Sequence, residues 1–385
     1  MRRFHWALIA VFFAVLACPL VESWARWLPQ TELAGAVARA TPVPLSFESY
    51  SSGRFQRAFE AWFEARLDLR PLLVRADNEL NLRVFRGFNP GTNTALVLGK
   101  HGFIFEREYV DALNRRNLVP VAELAQKVQR LKLLQDYLDS HGSTLLLVIS
   151  PSKALSYPEN LERRYVDRRW PDVPTNYEQF VPLLERAGIH VLDAQEQLFA
   201  SKQLGGPAWF TNTGTHWNEP ASCQIAAQIA DFVRRQSAPT TPRLRCEAPT
   251  WESEPSGTDR DLLDLANLLF PKQFYRPTPK VASRVVSVRG EHERPSVLFV
   301  GSSFVWAIWN RWQRLGSRKT AFYYYYSSES SLSGVRNRPL DHSRIDFPHQ
   351  VFGRTAVVIE INAAVVDQVG FGFLEDAEKA IRSEP

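Results

Sequence analysis

The sequence is poor in cysteine, with three in 385 residues, and carries little excess charge. Its 46 Lys and Arg against 41 Asp and Glu give a formal charge of +5, which permits an anionic partner but does not indicate nucleic acid. Zinc-finger spacing, basic heptads and aromatic RNA-binding signatures are absent, as are internal repeats and low-complexity tracts. The missing motifs and the small net charge predict no nucleic-acid partner. The cysteines lie in no C-x-x-C or His-rich spacing, so we also expect no metal site.

The N-terminus predicts export. A short basic start, MRRFH, precedes the uncharged run WALIAVFFAVLACPL from Trp6 to Leu20. Such a segment keeps its arginines on the cytoplasmic side, and it can be cleaved, retained as an anchor or lipidated at Cys18. Because no clean A-x-A cleavage site follows, we expect an uncleaved membrane anchor over residues 1–21 and a linker over residues 22–54.

Two cysteines remain beyond the export segment. Cys223 and Cys246 would bridge in an oxidising compartment, and two free buried thiols are the alternative. The residues alone leave both interpretations open.

Apolar runs of strand length alternate with amphipathic helical segments after residue 120. This alternation is typical of an α/β fold with a doubly wound parallel sheet, in which ligands bind at the carboxyl ends of the strands. Before it, we predict a helical region from Phe55 to Phe85, divided at Arg70–Pro71, and a hairpin from Ala95 to Phe105. The predicted strands are Ser143–Ser150, Ile189–Leu192, Val297–Val300, Thr320–Tyr326 and Ala356–Ile361, and the helices are Val121–Ser140, Tyr177–Ala187, Pro220–Arg235 and Phe304–Arg314.

One predicted strand ends in Gly301-Ser302-Ser303, directly before a helix. A serine hydroxyl at such a helix N-terminus lies beside backbone N–H groups that can stabilise an oxyanion. Serines also cap helices routinely, so this segment taken alone favours the capping interpretation.

Two further loops carry chemically competent residues. His216 lies in the segment TGTHW just before a helix, where it is placed like a general base, although a lone loop histidine is by default a hydrogen-bonded surface residue. The segment Ser150-Pro151-Ser152-Lys153 ends a central strand, where catalytic groups gather, but a simple turn explains it equally well.

Together these segments resemble the bacterial alginate and cellulose polysaccharide O-acetyltransferase family. The resemblance rests on the order PSKA and YPE, then T-x-HW, then G-x-SF, with GKHGFIF ahead of them, and it runs from about residue 55 to the C-terminus. It implies an SGNH-like α/β/α sandwich with a mostly parallel central sheet over residues 55–385. It also implies a periplasmic location, a polysaccharide acceptor, no cofactor, and a membrane-bound acyltransferase that supplies acetyl groups.

The resemblance assigns the two catalytic roles, and the positions of other residues in the sequence suggest supporting ones. Ser303 is the expected nucleophile, which forms an acetyl-serine, and His216 is the expected base. The backbone N–H of Ser303 is an expected oxyanion donor, with Ser302 and Asn362 as further donors. Trp306 is the first of three tryptophans that recur every third residue. The three could stack on sugar rings, and core packing is the alternative explanation. The expected substrate-binding residues are Ser152, Lys153, Trp217 and Trp306.

One departure from the family pattern concerns the acid that orients the histidine. The family commonly has D-x-H-W, and Gly214 stands in place of the aspartate. Glu219 or Glu360 could replace it, a backbone carbonyl could hold the ring, or the chain could be a degenerate glycan-binding or scaffold protein. If the acid is truly absent, Gly214→Asp should raise activity. A carbohydrate acetylesterase with the same machinery is the other enzymatic alternative.

Overall fold

The computed structural model describes residues 2–27, 32–35, 41–65, 69–89, 91, 93–167, 172–286, 295–315, 320–324, 328–331 and 338–383. The chain forms two compact units, one of Met1–Leu96 and Leu262–Phe274, the other of Val97–Asp261 and Tyr275–Pro385. The boundaries predicted at residues 21 and 54 stay a prediction, and residues 1, 28–31 and 36–40 of that stretch lie outside the described residues.

The first unit is helical. The predicted division of its helical region is confirmed, because one helix ends at Glu64 and the next begins at Arg70 with Pro71 in its first turn, where a missing N–H removes no hydrogen bond. Among the described residues, none of the helices combines the length and apolar character needed to cross a membrane. The helices are α1 (Arg2–Ala25), α2 (Phe47–Ser51), α3 (Arg54–Glu64) and α4 (Arg70–Phe85).

The described strands along the rest of the chain include the five predicted apolar runs and the predicted hairpin, together with six short strands that were not predicted. They are β1 (Leu96–Leu98), β2 (Ile104–Glu106), β3 (Leu145–Ser150), β4 (Val191–Asp193), β5 (Arg243–Cys246), β6 (Thr250–Glu252), β7 (Thr278–Lys280), β8 (Ser283–Val286), β9 (Val297–Val300), β10 (Ala321–Tyr324), β11 (Ser328–Ser331), β12 (Arg338–Pro339) and β13 (Ala356–Asn362). Residues 325 and 326 of the predicted strand Thr320–Tyr326 lie outside the described residues.

The described strands of the second unit include a seven-stranded mixed sheet in the order β12-β11-β10-β9-β13-β3-β4. The five strands from β10 to β4 are parallel neighbours, as predicted. β11 and β12 instead pair antiparallel at one edge, which corrects the expectation of a doubly wound parallel sheet there. The link from β10 to β11 is too short for the crossover that a parallel pair requires.

Helices cover this sheet. α6 packs against α8 and α13, while α10 packs against α12. In α6, Leu124, Leu131 and Leu138 recur every seventh residue and are completely buried, which is the apolar stripe that a helix needs to face a core. The helices of the second unit are α5 (Arg107–Leu113), α6 (Val121–Ser140), α7 (Lys153–Ser156), α8 (Asn176–Ala187), α9 (Ala194–Gln203), α10 (Glu219–Gln236), α12 (Val305–Gln313) and α13 (Phe373–Ser383). A further helix, α11 (Asp261–Leu265), begins at Asp261 and otherwise belongs to the first unit.

A small antiparallel region lies outside the central sheet. β5 pairs with β8, and β6 with β7; β5 and β6 are mostly exposed, whereas β7 and β8 are mostly half-buried. A disulfide joins Cys223 of α10 to Cys246 of β5, so the alternative of two free thiols is wrong.

The central sheet brings the predicted functional loops together. β3, β13 and β9 are adjacent and parallel, with Asn362 opposite Ser150 and Ile359 opposite Val300. Their carboxyl ends therefore meet at one edge of the sheet, where the segments that follow β3 and β9 lie on either side of the end of β13.

Candidate active site

Ser303 and His216 lie in contact. The Ser303 Oγ is 2.8 Å from the His216 Nε2, so the predicted proximity of the two residues is confirmed. On the other side of the ring, Nδ1 lies 2.5 Å from the Oδ2 of Asp261. The three side chains form the hydrogen-bonded line of nucleophile, base and acid that characterises serine triads.

The segment that carries Asp261 is bound to the histidine loop at several points. The Oδ1 of Asp261 accepts a hydrogen bond from the Thr215 N–H at 2.9 Å. The backbone carbonyl of Asp259 accepts from the hydroxyls of Thr211 at 2.6 Å and Thr213 at 2.7 Å. The hydroxyls of Thr211 and Thr213 and the backbone N–H of Thr215 thus support the position of the acid.

The expectation that Glu219 or Glu360 orients the histidine is wrong. Glu219 lies at the start of α10 and forms ion pairs with Lys280 at 3.5 Å and Arg311 at 3.7 Å. Glu360 accepts its hydrogen bonds from two serines. The alternative of a backbone carbonyl on the ring is also excluded, because Asp261 occupies Nδ1.

Sequence reasoning missed Asp261 because it is separated from His216 by 45 residues. It lies in the segment GTDRDLL, which has no strand or helix periodicity that relates it to the histidine. The only signal was the cluster of acidic residues in that segment, which could equally be a solvated surface.

The structure explains why glycine stands at position 214. A Cβ added to Gly214 would lie 2.2 Å from the backbone carbonyl oxygen of Thr258 and 3.0 Å from the Oγ1 of Thr211. The backbone ahead of Asp261 therefore occupies the space that a side chain at 214 would need. The acid is supplied from another segment, and the expectation that Gly214→Asp raises activity no longer follows.

Glu360 organises the turn that carries the nucleophile. It is completely buried, and it accepts hydrogen bonds from the Ser302 N–H at 2.8 Å, the Ser302 hydroxyl at 2.7 Å and the Ser150 hydroxyl at 2.5 Å. Burial raises the pKa of the Glu360 carboxyl. Because both donors of Ser302 point at Glu360, the expectation that Ser302 donates to an oxyanion is wrong.

Asn362 is likewise engaged with backbone. Its side-chain amide donates to the Pro151 carbonyl at 2.9 Å, and its carbonyl oxygen accepts from the Ala364 N–H at 3.0 Å. Asn362 thus caps the short helix that follows β13, in place of the expected donor role. The backbone N–H of Ser303 differs, since none of the described residues accepts a hydrogen bond from it, and its role as oxyanion donor stays a prediction.

Two of the expected substrate-binding residues are buried. Ser152 has no exposed surface and caps α7, while Lys153 is 1% exposed and donates to three backbone carbonyls. Burial lowers the pKa of Lys153 to about 7. Neither side chain can meet a polysaccharide in this position, so the expectation that they bind substrate is wrong.

The two tryptophans differ from each other. Trp217 is 1% exposed and packs edge-on against Phe304 with ring centroids 5.6 Å apart, whereas Trp306 is half-buried and packs edge-on against Phe322 at 4.8 Å. Both line a cavity of about 280 Å³ together with Asn310, Arg311 and Arg314. Trp309 and Trp312 are buried, so the stripe is mainly core packing and Trp306 alone borders open space.

Among the described residues, no group of three or more His, Cys, Asp or Glu side chains is arranged to hold a metal ion.

Comparison with known proteins gives the family. The chain is 30% identical over 190 residues to the probable alginate O-acetylase AlgJ of Pseudomonas syringae pv. tomato. The aligned region covers 49% of this chain and 44% of that relative. The alignment with its Pseudomonas aeruginosa counterpart is 25% identical over 338 residues and covers 83% of this chain and 78% of the relative. The match to the P. syringae protein thus spans less than half of that relative's length.

Among solved structures, the O-acetyltransferase domain of Pseudomonas putida AlgJ matches 74% of this chain and 99% of its own, with 20% identity and a TM-score of 0.47. Residues 96–320 match the family model described as the SGNH hydrolase-like domain of acetyltransferase AlgX. This match takes in more than half of the chain and includes His216, Asp261 and Ser303. The chain therefore belongs to the AlgX family of SGNH hydrolase-like acetyltransferase domains.

Proposed function

We propose that this chain is a serine-dependent O-acetyltransferase that modifies hydroxyl groups of an exopolysaccharide, with alginate as the first acceptor to test. The observation that carries the proposal is the continuous hydrogen-bonded line from Ser303 through His216 to Asp261. Family membership and the relatives described as alginate O-acetylases support it. The scaffold alternative required a wide gap between Ser303 and His216, and the 2.8 Å contact argues against it.

The first half-reaction loads the enzyme. The His216 Nε2 takes the proton of the Ser303 hydroxyl while the Oγ attacks the carbonyl carbon of an acetyl donor. As the tetrahedral intermediate collapses, the bond to the donor's oxygen breaks and His216 returns the proton to that leaving group. Asp261 keeps the ring in the tautomer that has the proton on Nδ1, and it stabilises the imidazolium that forms.

The second half-reaction unloads it. A sugar hydroxyl gives its proton to His216 and attacks the acetyl-serine carbonyl, and Ser303 leaves with the proton from the histidine. The sugar then carries the acetyl ester and the enzyme is restored. The backbone N–H of Ser303 is the proposed donor to the oxyanion in both halves.

We further propose that the chain works in the periplasm, tethered to the inner membrane through residues 1–21, and receives acetyl groups from a membrane-bound acyltransferase. The Cys223–Cys246 disulfide supports an exported location, because disulfides persist in oxidising compartments. Cell fractionation tests it, since recovery of the chain with the cytosol would contradict both the export and the tether.

The activity is tested with a chromogenic acetyl ester and an alginate oligosaccharide. We expect the parent to form an acetyl adduct on Ser303 by mass spectrometry and to acetylate the oligosaccharide. Ser303→Ala should lose both, and Ser140→Ala, an exposed serine elsewhere, should lose neither. If Ser303→Ala reacts as fast as the parent, the nucleophile assignment is wrong. If the parent releases only free acetate with the oligosaccharide present, the chain is an acetylesterase.

A further inference from the structure

Two separate segments of the chain converge on the ammonium group of Lys153. The Nζ donates to the carbonyl of Ile104 in β2 at 2.8 Å, and to the carbonyls of Asn212 at 3.0 Å and Gly214 at 2.7 Å in the histidine loop. The Asn212 carbonyl also accepts from the Ile104 N–H at 2.8 Å. Lys153 therefore ties the end of β3, the strand β2 and the histidine loop to one another.

The chemistry of this contact requires the charged form. An ammonium has three donors and all three have acceptors, whereas a neutral amine has only two donors and would leave one carbonyl facing a lone pair. The rings of Phe103 and Phe105 lie 5.3 and 5.4 Å from the Nζ and exclude water. The carboxylates of Glu106 and Asp261 act on the Nζ electrostatically and favour its charged form.

The position of Lys153 relative to the triad indicates a role in holding the loop that carries His216. Gly214 lies two residues before His216, and its carbonyl is held by Lys153 while its N–H donates to the Thr211 hydroxyl at 3.0 Å. On the opposite side, the loop is held to the Asp259 carbonyl by its threonines. The loop is thus fixed from two directions, and the lysine supplies one of them.

We propose that Lys153 is a positioning residue, which holds the carbonyls of Asn212 and Gly214 so that the His216 imidazole contacts Ser303 and Asp261 at the same time. This inference rests on the proposed function of the triad. It gives the buried lysine a role in activating the serine rather than in binding the acetyl donor or the sugar.

The test compares Lys153→Met with Lys202→Met in the full chain. Methionine keeps the length and removes the three donors. Lys202 is a matched control, because its Nζ also donates to a backbone carbonyl, that of Ser156 at 2.6 Å, but lies outside the histidine loop. Three quantities are measured: kcat and KM for the chromogenic ester, the rate of Ser303 modification by a sulfonyl fluoride, and the downfield proton resonance of His216 Nδ1–H.

We expect Lys153→Met to lower kcat and the rate of serine modification on the order of 100-fold, since a displacement of about 1 Å has such an effect. KM should change little, and the downfield resonance should shift or disappear, while Lys202→Met matches the parent. A folded Lys153→Met with parental kcat and resonance would overturn the proposal. So would a variant that changes KM alone.

If Lys153→Met does not fold, the parent itself provides the test. A serine and histidine alone give a rate that rises with pH and then stays level, because the base must be neutral. Because burial lowers the pKa of Lys153 to about 7, loss of its proton should make the rate fall again as the pH rises above neutral, while circular dichroism stays constant. A level rate there refutes the proposal. If the parent never reacts with the ester or the sulfonyl fluoride, the proposed function fails. The downfield resonance of the His216 Nδ1–H still tests separately whether Lys153 positions the imidazole.

Discussion

Replacing Asp261 by Asn tests the triad most sharply, because the change keeps the shape and alters one atom. Both carboxylate oxygens accept hydrogen bonds, Oδ1 from the Thr215 N–H and Oδ2 from the His216 Nδ1–H. An asparagine must turn its NH₂ group towards one of these donors. If the NH₂ group faces Thr215, it lies against the Thr215 N–H, and two donors face each other without an acceptor. If it faces His216, the ring adopts the other tautomer and its Nε2 can no longer accept the Ser303 proton.

The expected loss follows from the second arrangement. A triad that loses its acid in this way is slowed about 10⁴-fold, which corresponds to about 5 kcal/mol of transition-state stabilisation. The assay is hydrolysis of a chromogenic acetyl ester under conditions where the parent is saturated. Asp231→Asn is the matched control, because Asp231 is a half-exposed carboxylate on α10 paired with Arg234. If Asp261→Asn keeps more than about a tenth of the parental rate, a factor worth 1.4 kcal/mol, Asp261 does not orient the base.

Further measurements test other parts of the structure. Gly214→Ala should lower both ester hydrolysis and melting temperature, because its Cβ would lie 2.2 Å from the Thr258 carbonyl oxygen, and parental values would show that this backbone moves easily. Glu360 has a pKa raised by burial above its ordinary value of 4.5, so the folded state holds its proton more tightly and this contribution to stability is lost as the pH rises through the raised value. Urea unfolding at a series of pH values should show that the unfolding free energy of the parent falls more steeply with rising pH than that of Glu360→Gln. Equal slopes of unfolding free energy against pH would contradict this. Replacing Cys223 and Cys246 by Ser should lower the unfolding free energy by about 3 kcal/mol, given their separation of 23 residues, and an unchanged urea midpoint would refute a constraining bond.

The secondary structure was largely predictable because it follows local patterns. The helix Val121–Ser140 and the strand Val297–Val300 occur with the predicted bounds, since each is long or apolar enough for periodicity to identify it. The antiparallel edge at β11 and β12 was not predicted. Strand direction depends on the length and path of a connection, which local periodicity does not contain.

The disulfide was also undecided at the level of the residues. Spacing along the chain permits many cysteine pairs to bridge, and only the packing of β5 against α10 brings Cys246 to Cys223.

By itself, the sequence determined the α/β class, because apolar runs of strand length alternate with amphipathic helical segments, whereas the pairing of Ser303 with His216 was implied by the family resemblance of their motifs. Only the tertiary structure decided which acid completes the triad and which residues support it. Asp261 reaches the histidine from the start of α11, 45 residues further along the chain, and Lys153, expected to bind substrate, is buried against three carbonyls. Both outcomes depend on side chains that meet across distant segments, and no local periodicity encodes such a meeting.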